Sequence, residues 1–218
     1  MVPEPVRDRA MTYRRRHWLT RAVRQLRTHD SYVPIADGTM RDLLLGWGNP
    51  WSIQQELIDE LWARAWTTTG PILDCGSGLS TVLLAIIAEQ RGIRVISLEH
   101  DPVWHYTLAT QLERLRLTSV DVIRTRLHAY PEFTWYQLPD LMPGDFSLVL
   151  CDGPPAQTRG GRYGLLPCMV GHLAPGAVIL LDDAGREGEL EVLQRWEAEY
   201  AVRWQVRGEK KAYGVVEM

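Results

Sequence analysis

The pentapeptide Asp74-Cys75-Gly76-Ser77-Gly78, set directly after the apolar pair Ile72-Leu73, narrows what this chain can become more than any other feature. A second apolar run, Val95-Ile96-Ser97-Leu98, closes on Glu99, 21 residues beyond Gly78. A strand that ends in a glycine turn, then a helix, then a strand that ends in an acid is the layout of a nucleoside-binding α/β unit. Glycine lets backbone N–H groups approach a ligand with no Cβ in the way. The acid at the second strand end can accept hydrogen bonds from both hydroxyls of a ribose.

The turn also discriminates between cofactors. Dinucleotide sites read G-x-G-x-x-G and place the last glycine beside a pyrophosphate. Here the third place is Thr81, and Asp74 precedes the first glycine by two residues. An acid there repels a pyrophosphate and suits a ligand with a positive amino group. D-x-G-x-G followed by Leu79-Ser80-Thr81, with Glu99 on the next strand, resembles the class I, Rossmann-like S-adenosylmethionine-dependent methyltransferases. That resemblance implies S-adenosylmethionine as cofactor. It implies Asp74, Gly76, Ser77, Gly78 and Ser80 toward its methionine part, and Glu99 with neighbouring His100 toward its ribose.

From residue 70 onward strands and helices alternate. Ile72–Cys75, Arg94–Leu98, Val120–Thr125, Phe146–Cys151 and Ala177–Leu181 are expected as short strands, mostly apolar as in a sheet covered on both faces. Helices are expected over Ser80–Gln90, after Pro102 on the stripe Trp104, Leu108, Leu112 and Leu115, and over Gly188–Tyr200. Val202, Trp204 and Val206 alternate before Gly208–Lys211 turns the chain into Ala212–Glu217, which predicts a terminal hairpin. The expected fold is α/β: a seven-stranded, Rossmann-like methyltransferase sheet of five parallel strands plus a C-terminal hairpin, with helices on both faces.

Residues 1–69 read as an N-terminal helical extension of the cofactor-binding domain at 70–218. Trp18, Leu19, Ala22, Val23 and Leu26 form an apolar stripe, with Arg14, Arg16, Arg21, Arg24 and Arg27 largely off it. Further on, Gly46-Trp47-Gly48-Asn49-Pro50-Trp51-Ser52 leads into a helix with Ser52 and Gln55 spaced as a capping box, and with Ile53, Leu57, Ile58, Leu61 and Trp62 as its buried face. In methyltransferases that this chain resembles, such a segment covers cofactor or substrate, so Trp51 and Ser52 are expected to line the pocket.

Open α/β sheets bind ligands at the carboxyl ends of their strands. There the chain carries Arg126-Leu127-His128, then Asp152-Gly153-Pro154-Pro155 followed by a glycine-rich stretch to Gly164, then Asp182-Asp183-Ala184. Acids at the last two strand ends resemble the metal-assisted O-methyltransferases of the catechol type. The lysine which that family places three residues past the first Asp is Pro155 here, and lysine occurs only at Lys210 and Lys211. The run as a whole looks most like uncharacterised bacterial small-molecule methyltransferase-like proteins. Asp152 is the first candidate base and Asp182 the second. Asp152, Asp182 and Asp183 together are a candidate oxygen-rich site for Mg²⁺ or Ca²⁺. His128 is a further polar candidate, and His172 reads as packing or surface. Arg159, Arg162 and Tyr163, in a hinge-rich loop, are expected to close over an acceptor.

A length of 218 residues suits a single core. The net charge of −3 argues against wholesale nucleic-acid binding. No apolar run approaches the ~20 residues of a membrane span, and Met1 to Arg16 has no apolar leader. Cys75, Cys151 and Cys168 match neither a disulfide framework nor zinc spacing, so a cytoplasmic enzyme acting on a small-molecule acceptor is expected. Two other classes remain open: an NAD(P)-type oxidoreductase, and an RNA-directed methyltransferase or binding module using the Arg14-Arg15-Arg16 helix.

Overall fold

Period-2 alternation along the strands builds the molecule. In the computed structural model, which describes residues 4–29 and 33–218, seven strands form one sheet: β1 (Ile72–Cys75), β2 (Val95–Glu99), β3 (Asp121–Arg124), β6 (Phe146–Cys151), β7 (Leu173–Leu181), β8 (Arg203–Arg207) and β9 (Tyr213–Glu217). Their order is β3-β2-β1-β6-β7-β9-β8. The first five are parallel, while β9 runs antiparallel to both β7 and β8. The expected five parallel strands and closing hairpin are what the chain forms.

Odd and even strand residues serve two different cores. Ile72, Val95, Leu148, Leu150, Leu180 and Val215 face one, together with α1 (Glu4–Leu26), α2 (Asp37–Trp47), α3 (Gln55–Thr67), α4 (Leu79–Arg91) and α5 (Pro102–Leu115). Leu73, Cys75, Ile96, Leu98, Val149, Ile179 and Leu181 face the other, under α7 (Glu187–Tyr200) and the short α6 (Leu165–Met169). Helices therefore cover both faces, which is why these strands read as nearly continuous apolar runs. Leu19, Ala22, Val23 and Leu26 of α1 are buried in the first core, so the N-terminal helices share it with the sheet. No helix among the described residues is long and apolar enough to cross a membrane.

Two features differ from expectation. A two-stranded antiparallel ribbon, β4 (Leu127–Ala129) and β5 (Thr134–Tyr136), stands between β3 and β6. It packs Trp135 and Tyr136, both fully buried, under the second face. The capping box at Ser52 also does not form. Helix α3 starts at Gln55 with Gln54 as N-cap and no side-chain cap bond, leaving the Ser52 hydroxyl buried without a partner.

Candidate functional site

The strand order reverses between β1 and β6, because β2 lies on one side of β1 and β6 on the other. Loops leaving adjacent strands in opposite directions open a crevice at their carboxyl ends. The Cys75 carbonyl accepts from the backbone N–H groups of Asp152 (2.9 Å) and Gly153 (2.7 Å), and the Cys151 carbonyl accepts from that of Asp182 (3.1 Å). These bonds bring three strand ends level. Gly76 (φ +94°) is needed for this approach, since a Cβ there would stand 2.6 Å from the Gly153 nitrogen.

A cavity of about 760 Å³ opens above this junction. Trp51, Ser52, Gly76, Ser77, Gly78, Ser80, Glu99, His100 and Asp152 all line it, as do Trp104, Tyr136, Arg162 and Asp183. A Cβ on Gly78 would meet nothing within 4 Å, so the bare backbone at the start of α4 borders open space. The Tyr136 hydroxyl and the Ser52 hydroxyl are both buried and unpartnered. Unpaired buried hydroxyls cost about 1–3 kcal/mol each, which a polar ligand in the cavity would recover.

Glu99 is buried at the second strand end. Its Oε1 accepts from the backbone N–H groups of His100 (2.7 Å) and Asp101 (2.8 Å), and Oε2 accepts from the Ser77 hydroxyl (2.7 Å). Burial pushes this carboxyl up, but hydrogen bonds from His100, Ser77 and Asp101 outweigh it and hold Glu99 below its ordinary value. The His100 Nδ1 lies 3.2 Å from the same carboxylate, and that bond raises the imidazole despite its partial burial. Glu99 is thus a fixed anion on the cavity wall, with two hydrogen bonds on Oε1 and one on Oε2. The Trp104 indole closes this end by donating to the Ser77 carbonyl (2.8 Å), and Asp101 caps α5 through the Trp104 N–H (2.7 Å).

Asp74 is placed differently from expectation. It is completely buried and does not line the cavity, because Cβ groups alternate across β1 and this one faces α4 on the side of the first core. Its carboxylate collects the hydroxyls of Thr81 (2.6 Å), Ser97 (2.9 Å) and Ser80 (3.0 Å), so it braces the glycine turn from beneath. Thr81 in turn accepts from the Gly78 N–H (2.9 Å). Burial raises Asp74 to about 6, against the three hydrogen bonds that lower it. Lifting it from the ordinary 3.8 is equivalent to about 3 kcal/mol. The folded protein therefore holds this proton between pH 4 and 6 while the unfolded chain has lost it, so stability falls as pH rises through that window. Relative to Asp74→Asn, urea titrations of the wild type are expected to lose about 3 kcal/mol between pH 4 and 7. A constant difference across that range would show Asp74 to be ionised throughout.

At the ends of β6 and β7, Asp152, Asp182 and Asp183 present oxygens that lie within 4.8 Å of one another. The sequence did not show what neutralises them. Arg162, buried at 2% exposure, donates through Nη2 to the Asp152 carbonyl (2.7 Å), Asp152 Oδ1 (3.1 Å) and Asp183 Oδ2 (3.1 Å), and through Nη1 to the Asp182 carbonyl. Glu189, buried on α7, stands 3.5 Å from the same guanidinium. Lys211, from the β8–β9 turn, reaches Asp182 Oδ2 (2.6 Å) and Asp183 Oδ1 (3.0 Å). Arg186 adds a third cation at Asp183 Oδ2 (2.9 Å).

Asp152 Oδ1, Asp182 Oδ2 and both Asp183 oxygens are already bonded to a guanidinium or an ammonium, which leaves Asp182 Oδ1 as a buried oxygen without a partner. This donor set does not fit Mg²⁺ or Ca²⁺, which need freely offered oxygens and would sit against two fixed positive charges. Pro155 leaves the lysine position after Asp152 without a cation, but the terminal hairpin returns Lys211 to the cluster. Four carboxylates face three cations, so one negative charge is in excess. Burial, with the neighbouring Asp182 carboxylate, raises Asp152 well above its ordinary value, and Arg162 only partly opposes this. Asp183 is pushed up by burial, but Arg162 and Lys211 outweigh it and hold the carboxyl low. Asp182 is 1% exposed and stands behind Asp152, outside the cavity lining.

The glycine-rich stretch after Asp152 is anchored rather than hinged at its far end. Arg162 and Tyr163 are buried, Arg159 donates to the Pro131 carbonyl, and Arg195 stacks 3.6 Å over the Tyr163 ring. A Cβ on Gly160 would stand 2.7 Å from the Phe133 Cβ, and one on Gly164 2.7 Å from the Trp135 Cβ. These glycines admit the ribbon. Only Pro155, Ala156 and Gln157 of this loop border the cavity besides Gly153 and Arg162. His128 is exposed on the ribbon against Tyr130 (4.8 Å), and His172 bonds the Pro143 carbonyl (3.0 Å), both away from the site.

Comparison with known proteins agrees with this fold. Residues 73–184 match the family model described as a methyltransferase domain. No curated protein matches the chain. Among solved structures, the cofactor-bound Rv0187 from MTB superposes with a TM-score of 0.63 at 18% identity, covering 78% of this chain and 82% of that one. An O-methyltransferase from Bacillus cereus in complex with SAH gives 0.57 at 20% identity over 84% and 90%. The SAH-bound methyltransferase PaMTH1 from Podospora anserina gives 0.56 at 13% identity, over 99% and 97%.

Proposed function

Because the chain belongs to the methyltransferase-domain family, we propose that it transfers the methyl group of S-adenosylmethionine to a hydroxyl oxygen of a small molecule. One observation carries the reading: a fixed anion, Glu99, and a proton-seeking carboxyl, Asp152, line the same cavity on either side of the glycine turn. Two solved relatives are described with SAH bound. An NAD(P) site is disfavoured because the third glycine position is filled by Thr81, whose hydroxyl is engaged with Asp74 (2.6 Å).

The residues fit the cofactor. Glu99 would accept from the ribose hydroxyls, the Gly76–Gly78 backbone and Ser77 would hold the methionine part, and the unpartnered Ser52 and Tyr136 hydroxyls supply further polar contacts. When bound, the cofactor supplies a methyl group already activated by its sulfonium. The protein then has two tasks, positioning and proton removal. Asp152 would take the proton of the acceptor hydroxyl as that oxygen receives the methyl group, the bonding pair being left with the cofactor's sulfur. Arg162 fixes the Asp152 carboxyl through the 3.1 Å bond. Asp182 and Lys211 stand behind it and set its proton affinity.

Calorimetric titration with S-adenosylhomocysteine, with NADH and bulk RNA in parallel, tests the reading. Saturable binding of the first alone is expected. Glu99→Ala removes charge-assisted hydrogen bonds worth roughly 1.5–3 kcal/mol each, so affinity should fall at least tenfold. Undiminished affinity in a folded Glu99→Ala variant would remove the ribose assignment. Methyl transfer should survive exhaustive chelation, since Arg162 and Lys211 already compensate the aspartates; a loss restored by Mg²⁺ would show that the cluster rearranges around a metal.

A further inference from the structure

The basic face of α1 has no part in the reaction just described, yet it borders a second concavity. This space of about 550 Å³ lies between α1, the Gly46–Trp51 turn and α5. It shares Trp47, Asn49, Trp51 and Trp104 with the main cavity. Arg15 and Arg16 from α1 and Arg114 from α5 line it, and no aspartate or glutamate does. None of these three arginines has a carboxylate partner among the described residues, whereas Arg21, Arg27, Arg64, Arg186, Arg195 and Arg207 each have one. The Arg15 side chain is laid into the concavity against Gly48, where a Cβ would stand 2.7 Å from its Nε. Gly48 (φ +64°) thus both ends α2 and clears the place for the guanidinium.

The wall between the two spaces is aromatic. Trp47 and Trp104 meet edge-on at 6.0 Å, and Trp51 stands beside them with 80% of its surface exposed. The Trp104 bond to the Ser77 carbonyl holds this wall in register with the glycine turn. Three guanidinium groups without a carboxylate partner around a small space attract a compact anion, which they bind through charge-assisted, often forked hydrogen bonds. The exposed indole of Trp51, with half-buried Trp47 and Trp104 beside it, offers stacking surface to a flat apolar body.

We infer that this concavity is the anion subsite of the methyl acceptor. It takes a carboxylate or phosphate borne on an aromatic molecule, whose ring rests against Trp47, Trp51 and Trp104 and whose hydroxyl enters the main cavity. The link between the two spaces rests on the proposed methyl transfer; the anion site itself does not. Attraction by three arginines also explains how a chain of net charge −3 recruits an acidic substrate.

The test uses the full chain with 4-hydroxybenzoate, phenyl phosphate, inorganic phosphate and phenol, followed by tryptophan fluorescence and calorimetry. At least one of the two anionic aromatics should saturate at least tenfold more tightly than phenol, and the better of the two identifies the anion. The variant Arg15→Gln/Arg16→Gln/Arg114→Gln should lose at least tenfold of that affinity while binding S-adenosylhomocysteine within twofold of wild type, which also reports that it is folded. Arg114→Gln alone, distant in sequence from α1, should show part of the loss. Phenol binding as tightly as the anions, or the triple variant retaining their affinity, overturns the subsite. Salt-steep RNA binding that the triple variant abolishes, with none of the small anions bound, would assign the face to nucleic acid instead. If S-adenosylhomocysteine fails to bind wild type while the anions do, the methyltransferase reading falls and the anion site stands.

Discussion

Arg162→Met is expected to destabilise the fold by about 3–5 kcal/mol, lowering the melting temperature by roughly 10 °C. The guanidinium is almost wholly buried and is shared among Asp152, Asp183 and Glu189 as well as two backbone carbonyls at the ends of β6 and β7. Removing it leaves carboxylates in a poorly solvated place with only Lys211 and Arg186 to compensate them. Breaking one side of such a group costs far more than the group contributes in sum, because the remaining charges cannot return to water. Two further variants separate this cause from simple loss of packing. Glu189→Gln, added to Arg162→Met, removes one stranded charge and should recover part of the stability. Asp183→Asn added to the same background should do likewise. A double-mutant cycle with no recovery from either would show that the side chain acts through its volume.

The centre of the sheet was legible because β1, β2 and β6 are buried on both faces and bounded by turn residues. Ile72–Cys75 and Phe146–Cys151 have the bounds their apolar runs suggest. The placement of the glycine turn and Glu99 on the cavity wall was legible for a related reason, since it follows from backbone freedom and strand-end position. The ribbon β4–β5 was not, since three residues on either side of a turn give too short an alternation to read. Tyr136 was missed with it. Asp74 was misjudged because a motif fixes spacing but not the face of the strand. Its position between Leu73 and Cys75, which both face the second core, was the available signal for the opposite side. Arg162 and Lys211 illustrate a different limit. An arginine in a glycine-rich loop and a lysine in a hairpin turn both look exposed, and only the tertiary contact shows that the acids at two neighbouring strand ends require them.

The largest kinetic effect is expected at Asp152. With any acceptor that the wild type turns over, Asp152→Asn should slow methyl transfer by about 10²–10⁴-fold, the range for loss of a positioned base, while S-adenosylhomocysteine affinity stays unchanged. The pH profile carries the sharper signature. Asp152 is active only when it has lost its proton, and burial beside Asp182 holds that proton to a pH well above the ordinary carboxylate range. The rate should therefore rise with pH along a limb displaced upward from the usual carboxylate range, and that limb should vanish in Asp152→Asn. After burial, Asp182 and Arg162, Lys211 also shifts where the limb lies, since its ammonium at 2.6 Å offsets the Asp182 charge that opposes ionisation of Asp152. Lys211→Met should move the limb to higher pH and lower the rate at neutral pH, whereas Lys211→Arg, which restores the positive charge, should move it back. A purely structural Lys211 would alter stability in both variants and leave the profile where it was. A limb that persists in Asp152→Asn would shift the role of base to another group in the cavity, with His100 the next titratable side chain on its wall.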